Sequence, residues 1–241
     1  MKKYIWFSFI ILLFAVPQTF AARPLTVEDV GVVEKGMELE ISSDTDPLDN
    51  IYNEVGIVAN FAAGPNLQIG VEKPFIHQAY HPWGNGDTSI TAKYLFNDNW
   101  GIKVAVETMH GDEVNDFGND FIEYAFVLIY GFESGKLGID TNLGWSSYDH
   151  HEWWSEDVKN NWNLGLALKY PVLNDLTIVG EATKMIVQGD YLDNKTENHV
   201  LFRGGFVYEG WGFPVDFAVY SLPETGHHGG FTAGVTLPIE Y

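Results

Sequence analysis

The chain reads as an all-β protein: a transmembrane, antiparallel, up-and-down β-barrel of about 12 strands. Three observations predict this class. Apolar and polar residues alternate with a period of two along many short runs, short and long connections between those runs alternate strictly, and charged residues occupy the face opposite the apolar one. Period-two alternation marks a strand whose two faces meet different surroundings, but does not say which face is the inside.

The runs lie near residues 36–43, 52–62, 66–76, 87–97, 100–109, 120–132, 136–146, 161–170, 175–185, 198–209, 213–221 and 230–241, each bounded by Gly, Asn, Asp or Pro clusters. Even-numbered runs are followed by short turns: AAGPN, NDNW, ESGK, PVLND and EGWG. Odd-numbered runs are followed by SSDTDPLDN, HQAYHPWGNG, HGDEVNDFGN, SYDHHEWWSEDVKN, GDYLDNKTEN and LPETGHHGG. Bacterial outer-membrane barrels have this layout, with short periplasmic turns, long outer loops and both termini on the periplasmic side.

Charge decides which face looks inward. In the stretch WNLGLALKY at 162–170, Leu164, Leu166 and Leu168 share one face, while Asn163, Gly165, Ala167 and Lys169 share the other. Across the chain that second face carries Glu54, Glu72, Lys93, Lys103, Glu107, Glu123, Asp140, Lys169, Glu181, Arg203 and Asp216. So many ions cannot fill a dry core, because an unpaired buried charge is too costly. The apolar face therefore looks out into lipid, and the charged face lines a lumen. On the outward parity, Phe61, Phe96, Phe132, Tyr170, Tyr208 and Tyr241 end the even runs and form an aromatic girdle. Lys73 and Lys184 break the outward pattern, near strand ends where a long side chain snorkels.

Composition is consistent with this and excludes other classes. The chain has 241 residues, 46% of them hydrophobic, with 13 Lys and Arg against 33 Asp and Glu. A formal charge of -20 argues against nucleic acid, whose phosphates need a basic surface. Cysteine is absent, which removes disulfides, thiolate metal sites and cysteine nucleophiles. Residues 1–21, MKKYIWFSFIILLFAVPQTFA, read as a cleaved secretory signal, with Thr19 and Ala21 suited to the peptidase. Losing Lys2 and Lys3 with no acid takes the charge from -20 to -22. Residues 22–35 are then an N-terminal segment that either hangs in the periplasm or folds into the lumen as a plug, and 36–241 are the barrel.

The stretch ARPLTVEDVGVVEKGMELEI contains the run Arg23 to Thr26, the acidic pair Glu28 and Asp29, Gly31, and Glu34-Lys35-Gly36 leading into an acidic first strand. It resembles the opening of the outer-membrane family named after the meta-pathway of phenol degradation. That resemblance implies an outer-membrane channel or transporter linked to uptake of aromatic or hydrophobic compounds, and it supplies no catalytic motif.

The expected function is passive passage of small solutes. About eight strands leave an interior filled by side chains and about sixteen leave an aqueous channel, so a barrel of about twelve lies between. Inward positions such as Gly56, Gly70, Ala105, Ala125, Gly138, Gly144, Gly165, Ala167 and Gly205 make room, and the acidic excess favours cations. A non-conducting structural barrel and a metal-capturing barrel stay open as alternatives. The latter would use His150, His151, Glu152, His227 and His228 of the outer loops, since imidazole and carboxylate together suit Zn, Cu or Ni. Adjacent histidines on extended chain point apart, which weakens His150 and His151 as a pair. A lipid-modifying enzyme is disfavoured, because the outward stripes contain no His and Ser89 and Ser146 fall on lumen parity. No cofactor is implied. Expected partners are outer-membrane lipid, lipopolysaccharide, the solute, and the barrel-assembly machinery through the C-terminal segment ending at Tyr241.

Overall fold

Runs joined by tight turns pair with their sequence neighbours, and a sheet built that way must close to cross hydrocarbon without unpaired backbone groups. The computed structural model of the chain describes residues 28–45, 52–78, 83–108, 122–152, 155–188, 196–221 and 229–239. The wall is made of β1 (Met37–Thr45), β2 (Tyr52–Gly64), β3 (Leu67–Gln78), β4 (Thr88–Asn97), β5 (Trp100–Thr108) and β6 (Glu123–Ser134). It continues with β7 (Leu137–Glu152), β8 (Ser155–Leu173), β9 (Leu176–Gln188), β10 (Thr196–Tyr208), β11 (Val215–Ser221) and β12 (Phe231–Ile239). Each strand pairs antiparallel with the next, and β1 pairs with β12 from Met37↔Ile239 to Thr45↔Phe231, so the sheet closes into a 12-strand barrel with no free edge. A two-residue strand, Gly84–Asn85, adds to β3 at Phe75 and Ile76. Among the described residues no helix is long and apolar enough to cross a membrane; the strands are the crossing elements.

Turn chemistry explains the short connections. In the β4–β5 turn the side-chain carbonyl of Asn97 accepts hydrogen bonds from the backbone N–H of Asn99 (2.9 Å) and of Trp100 (3.0 Å), an Asx arrangement that reverses the chain locally.

One expected loop is largely ladder. The stretch SYDHHEWWSEDVKN extends β7 and β8, which stay in register through His150↔Asp157, His151↔Glu156 and Glu152↔Ser155. Its polar, charge-rich composition reads as loop, yet continuing the ladder satisfies the backbone donors and acceptors of both arms.

The faces sort as alternation requires. Leu164, Leu166 and Leu168 are 47%, 42% and 42% exposed, whereas Ala167 between them is fully buried. Phe61, Phe96, Phe132 and Tyr170 are exposed at the short-turn ends of β2, β4, β6 and β8. The belt they begin includes two tryptophans, Trp100 at the start of β5 and Trp211 in the β10–β11 turn. Trp100 lies 4.5 Å from Tyr130, ring centre to ring centre, and Trp211 lies 5.2 Å from Tyr208. Tyr241 lies outside the described residues. Of the two outward lysines, Lys73 donates through Nζ to the carbonyl of Gly86 at 2.6 Å, and Lys184 is exposed.

Leu166→Arg should impair insertion by about 2–4 kcal/mol, the cost of a cation on the lipid face near midplane, whereas Lys169→Gln should leave folding into liposomes intact. Equal folding yields for Leu166→Arg and wild type would contradict the assignment of the leucine face to lipid.

Candidate functional site: the lumen and its N-terminal strap

Barrel register places two cations against each other. Lys93 on β4 is directly opposite Lys103 on β5, and both point into the lumen. Like charges directly opposite on neighbouring strands repel. Lys169 on β8 is a third inward cation near the same short-turn end, bound to Asp140 of β7 at 3.0 Å. The remaining counter-charge comes from outside the wall. Glu28 gives one carboxylate oxygen to Lys103 Nζ (2.5 Å) and the other to Lys93 Nζ (3.3 Å), so a single carboxylate bridges the repelling pair. Asp29 accepts from Lys93 (3.2 Å) and from Lys169 (3.1 Å). The Lys93 side chain is 3% exposed, so these pairs sit where solvent screens them far less than at a surface.

The segment that carries Glu28 and Asp29 is held as a strap across the lumen. It leaves β1 at Gly36, whose φ of 77° is a left-handed conformation that a side chain would strain, and whose carbonyl accepts from Ala62 N at 3.1 Å. Val33 is buried, and its N–H donates to Gln68 Oε1 at 3.0 Å. Asn142 pairs with Glu28 as a strand residue would: its amide nitrogen donates to the Glu28 carbonyl (2.9 Å), and its amide oxygen accepts from the Glu28 N–H. Asp29 Oδ1 also accepts from Gly31 N at 3.0 Å, which turns the strap tip. Val30 lies over Gly131, where an added Cβ would meet Val30 Cγ2 at 2.9 Å and also press on Asp140.

Open space lies on both sides of this strap. Toward the long connections is a cavity of about 450 Å³, lined by Glu72, Thr91, Lys103, Asn142, Asn163 and Thr183, with Glu28 at its floor. Toward the short turns is one of about 380 Å³, bordered by Asp29, Val33, Gln68, Lys169, Asp216 and Thr236. Small residues on the first lining, Ala105, Ala125, Gly144 and Gly165, provide its width.

The other inward charges fall into separate groups. Arg203 is opposite Glu181 in the β9–β10 register, approaches Asp44 of β1 at 3.7 Å, and lies 5.3 Å from the centre of the Tyr220 ring. Glu54 is opposite Asp44 between β1 and β2, and Glu107 is opposite Glu123 between β5 and β6. Asp216 sits beside Gly234 of β12, which leaves room for its carboxylate. The acids Glu72, Glu107 and Glu123 lie toward the long connections, and the three lysines toward the short turns. Of the histidine and carboxylate set, His150, His151 and Glu152 fall on consecutive extended residues of β7, while His227 and His228 lie outside the described residues. Among the described residues no group of His, Asp and Glu has a metal-holding arrangement.

The parity of the lumen charges identifies residues but not partners. Gln68, Gly131 and Asp44, which shape the strap and the Arg203 group, carry no sequence signal beyond their parity. The acidic pair at 28 and 29, placed just ahead of a strand array with three inward lysines, is the signal that bears on the strap.

Closure, lipid-facing leucines and a polar lumen define the outer-membrane β-barrel class. Among solved structures, the chain is similar to the NanC porin (TM-score 0.61, 11% identity, 86% of this chain and 100% of that one). It is likewise similar to an outer-membrane channel from Pseudomonas putida F1 (TM-score 0.59, 14% identity, 90% and 98%). A third is the KdgM porin (TM-score 0.54, 14% identity, 85% and 99%). At these identities the likeness is one of fold. No family model matches the chain, and no curated protein matches it.

Glu28→Gln should destabilise the folded barrel by about 1–3 kcal/mol, the usual cost of removing one partner of a buried charged contact. The measurement is the denaturant midpoint in detergent. Adding Lys103→Gln should recover part of the loss, since it removes the repulsion that Glu28 relieves; strict additivity of the two changes would show that they are not coupled.

Proposed function

We propose that the chain is an outer-membrane channel for passive passage of small hydrophilic solutes, and that its lumen favours cations. The observation that carries this reading is the pair of cavities inside a closed wall, one on each side of a strap that is joined to the wall by ion pairs and amide contacts rather than by a ladder. A side-chain-filled barrel would leave no such space. Glu72, Lys103, Asn142 and Asn163 on the lining suit hydrated solutes, while the resemblance of the N-terminal stretch implies aromatic or hydrophobic compounds. With Glu28 and Asp29 facing the lysines and Glu181 opposite Arg203, the field in the lumen is set by Glu54, Glu72, Glu107, Glu123 and Asp216, and an acidic lining admits cations and neutral solutes before anions. We assign the short-turn end to the periplasm, as in barrels of this layout. The outward face meets lipid and lipopolysaccharide, and the segment ending at Tyr241 is the part offered to the assembly machinery. No catalytic role is assigned.

Planar-bilayer recordings test the channel directly. Purified protein should conduct, and reversal potentials under a salt gradient should show cation preference. Neutralising Glu107, Glu123 and Asp140 together should shift the preference toward anions. Unchanged selectivity in that variant, combined with altered selectivity when the hairpin at 148–157 is shortened, would move the filter to the mouth. Permanent electrical silence would favour a structural barrel.

A further inference from the structure

We propose that Lys93, Lys103 and Lys169 form a recognition site for small dicarboxylates, which Glu28 and Asp29 of the strap occupy in the resting state, so that such a solute displaces the strap and opens the lumen. This builds on the channel reading above and adds a ligand class and a means of regulation.

The geometry is that of an intramolecular ligand. Three ammonium groups from three strands converge on two carboxylates that belong to consecutive residues. Lys93 touches both, at 3.3 and 3.2 Å, so the two carboxylates lie no farther apart than those distances together allow. That spacing is available to a chain of four or five carbons with a carboxylate at each end. The lysines are held by the wall, so the cation cluster persists when its occupant leaves. Their mutual repulsion then makes the empty site unfavourable, and a dianion of the same charge is the natural replacement.

The strap is built to be exchanged. Its contacts to the wall include ion pairs, an amide pair at Asn142, a hydrogen bond at Gln68 and the seat of Val30 on Gly131. Gly36, with its positive φ, provides the pivot at β1. Exchange of one pair of carboxylates for another keeps the charge pairing, so the solute has to offset the strap's amide and apolar contacts and the advantage of its tether to β1. A ligand moves such an equilibrium only by its preference for one state, and here the preference is absolute, because solute and strap compete for the same nitrogens. The cation preference proposed above then belongs to the strapped state. Release uncovers the lysines and admits the acid.

The absence of native cysteine makes the strap directly observable. Glu34 is exposed on the strap, and a spin label on Glu34→Cys reports the motion of the segment in detergent or liposomes. Succinate should convert the immobilised spectrum to a mobile one, while uncharged succinamide and monovalent acetate at equal concentration and ionic strength should not. Carrying Glu28→Gln and Asp29→Asn, the labelled protein should be mobile without ligand. In bilayers succinate should raise the potassium current of the wild type as the strap leaves, whereas the double variant should conduct at that raised level before any succinate is added. Lys93→Met should abolish the response to succinate in both assays. A spectrum unmoved by succinate, or moved equally by succinamide, overturns the inference even if the channel conducts normally. A succinate-dependent spectrum in a protein that never conducts upholds the site and refutes the channel reading instead.

Discussion

A backbone in hydrocarbon must find all its hydrogen-bond partners within the protein, and every other feature of this chain follows from that requirement. It forces closure of the sheet through β1 and β12, and closure fixes the register of each strand against its neighbours. Fixed register with a period of two sends the charged side chains of the alternating runs to the lumen, with Lys73 and Lys184 as the outward exceptions. The wall has no freedom to separate Lys93 from Lys103, because sliding one strand by a single residue would turn its apolar set inward. The repulsion has to be relieved from within the lumen, and Glu28, supplied from ahead of β1, bridges the two cations.

Most of the wall was legible in the sequence because alternation and turn chemistry are local signals. WNLGLALKY shows its lipid face in five apolar residues, and the short turns announce themselves through Gly, Asn, Asp and Pro. The extension of β7 and β8 was hidden because the stretch is rich in charged and polar residues and lacks the alternation that identifies a strand. The inward position of Lys93, Lys103 and Lys169 could be read from parity. Their convergence on Glu28 and Asp29 could not, since those contacts join residues up to 140 positions apart and depend on barrel curvature. Composition alone left both a periplasmic and a lumenal place open for residues 22–35; of these, Glu28 and Asp29 meet the inward lysines.

Burial makes the charge groups strong but also conditional. An ion pair at a surface contributes little, because water and salt screen it. In the narrow part of the lumen, the loss of one partner leaves the other without compensation, and the penalty falls on the remaining charge rather than on the missing contact. The near-complete burial of Lys93 makes its pairing with Glu28 and Asp29 matter more than a surface contact would.

This separates the two cationic groups of the lumen by the origin of their partners. Arg203 approaches Asp44 and lies opposite Glu181 in the register, all three fixed on wall strands, so its environment changes only if the barrel itself opens. Lys93 and Lys103 are balanced by Glu28, on a segment that the ladder does not hold, so their environment changes with the position of the strap. The same chemistry thus gives a permanent brace at one place and an exchangeable contact at the other. The difference lies in whether the counter-charge is part of the hydrogen-bonded sheet, because membership of the sheet is what the membrane enforces.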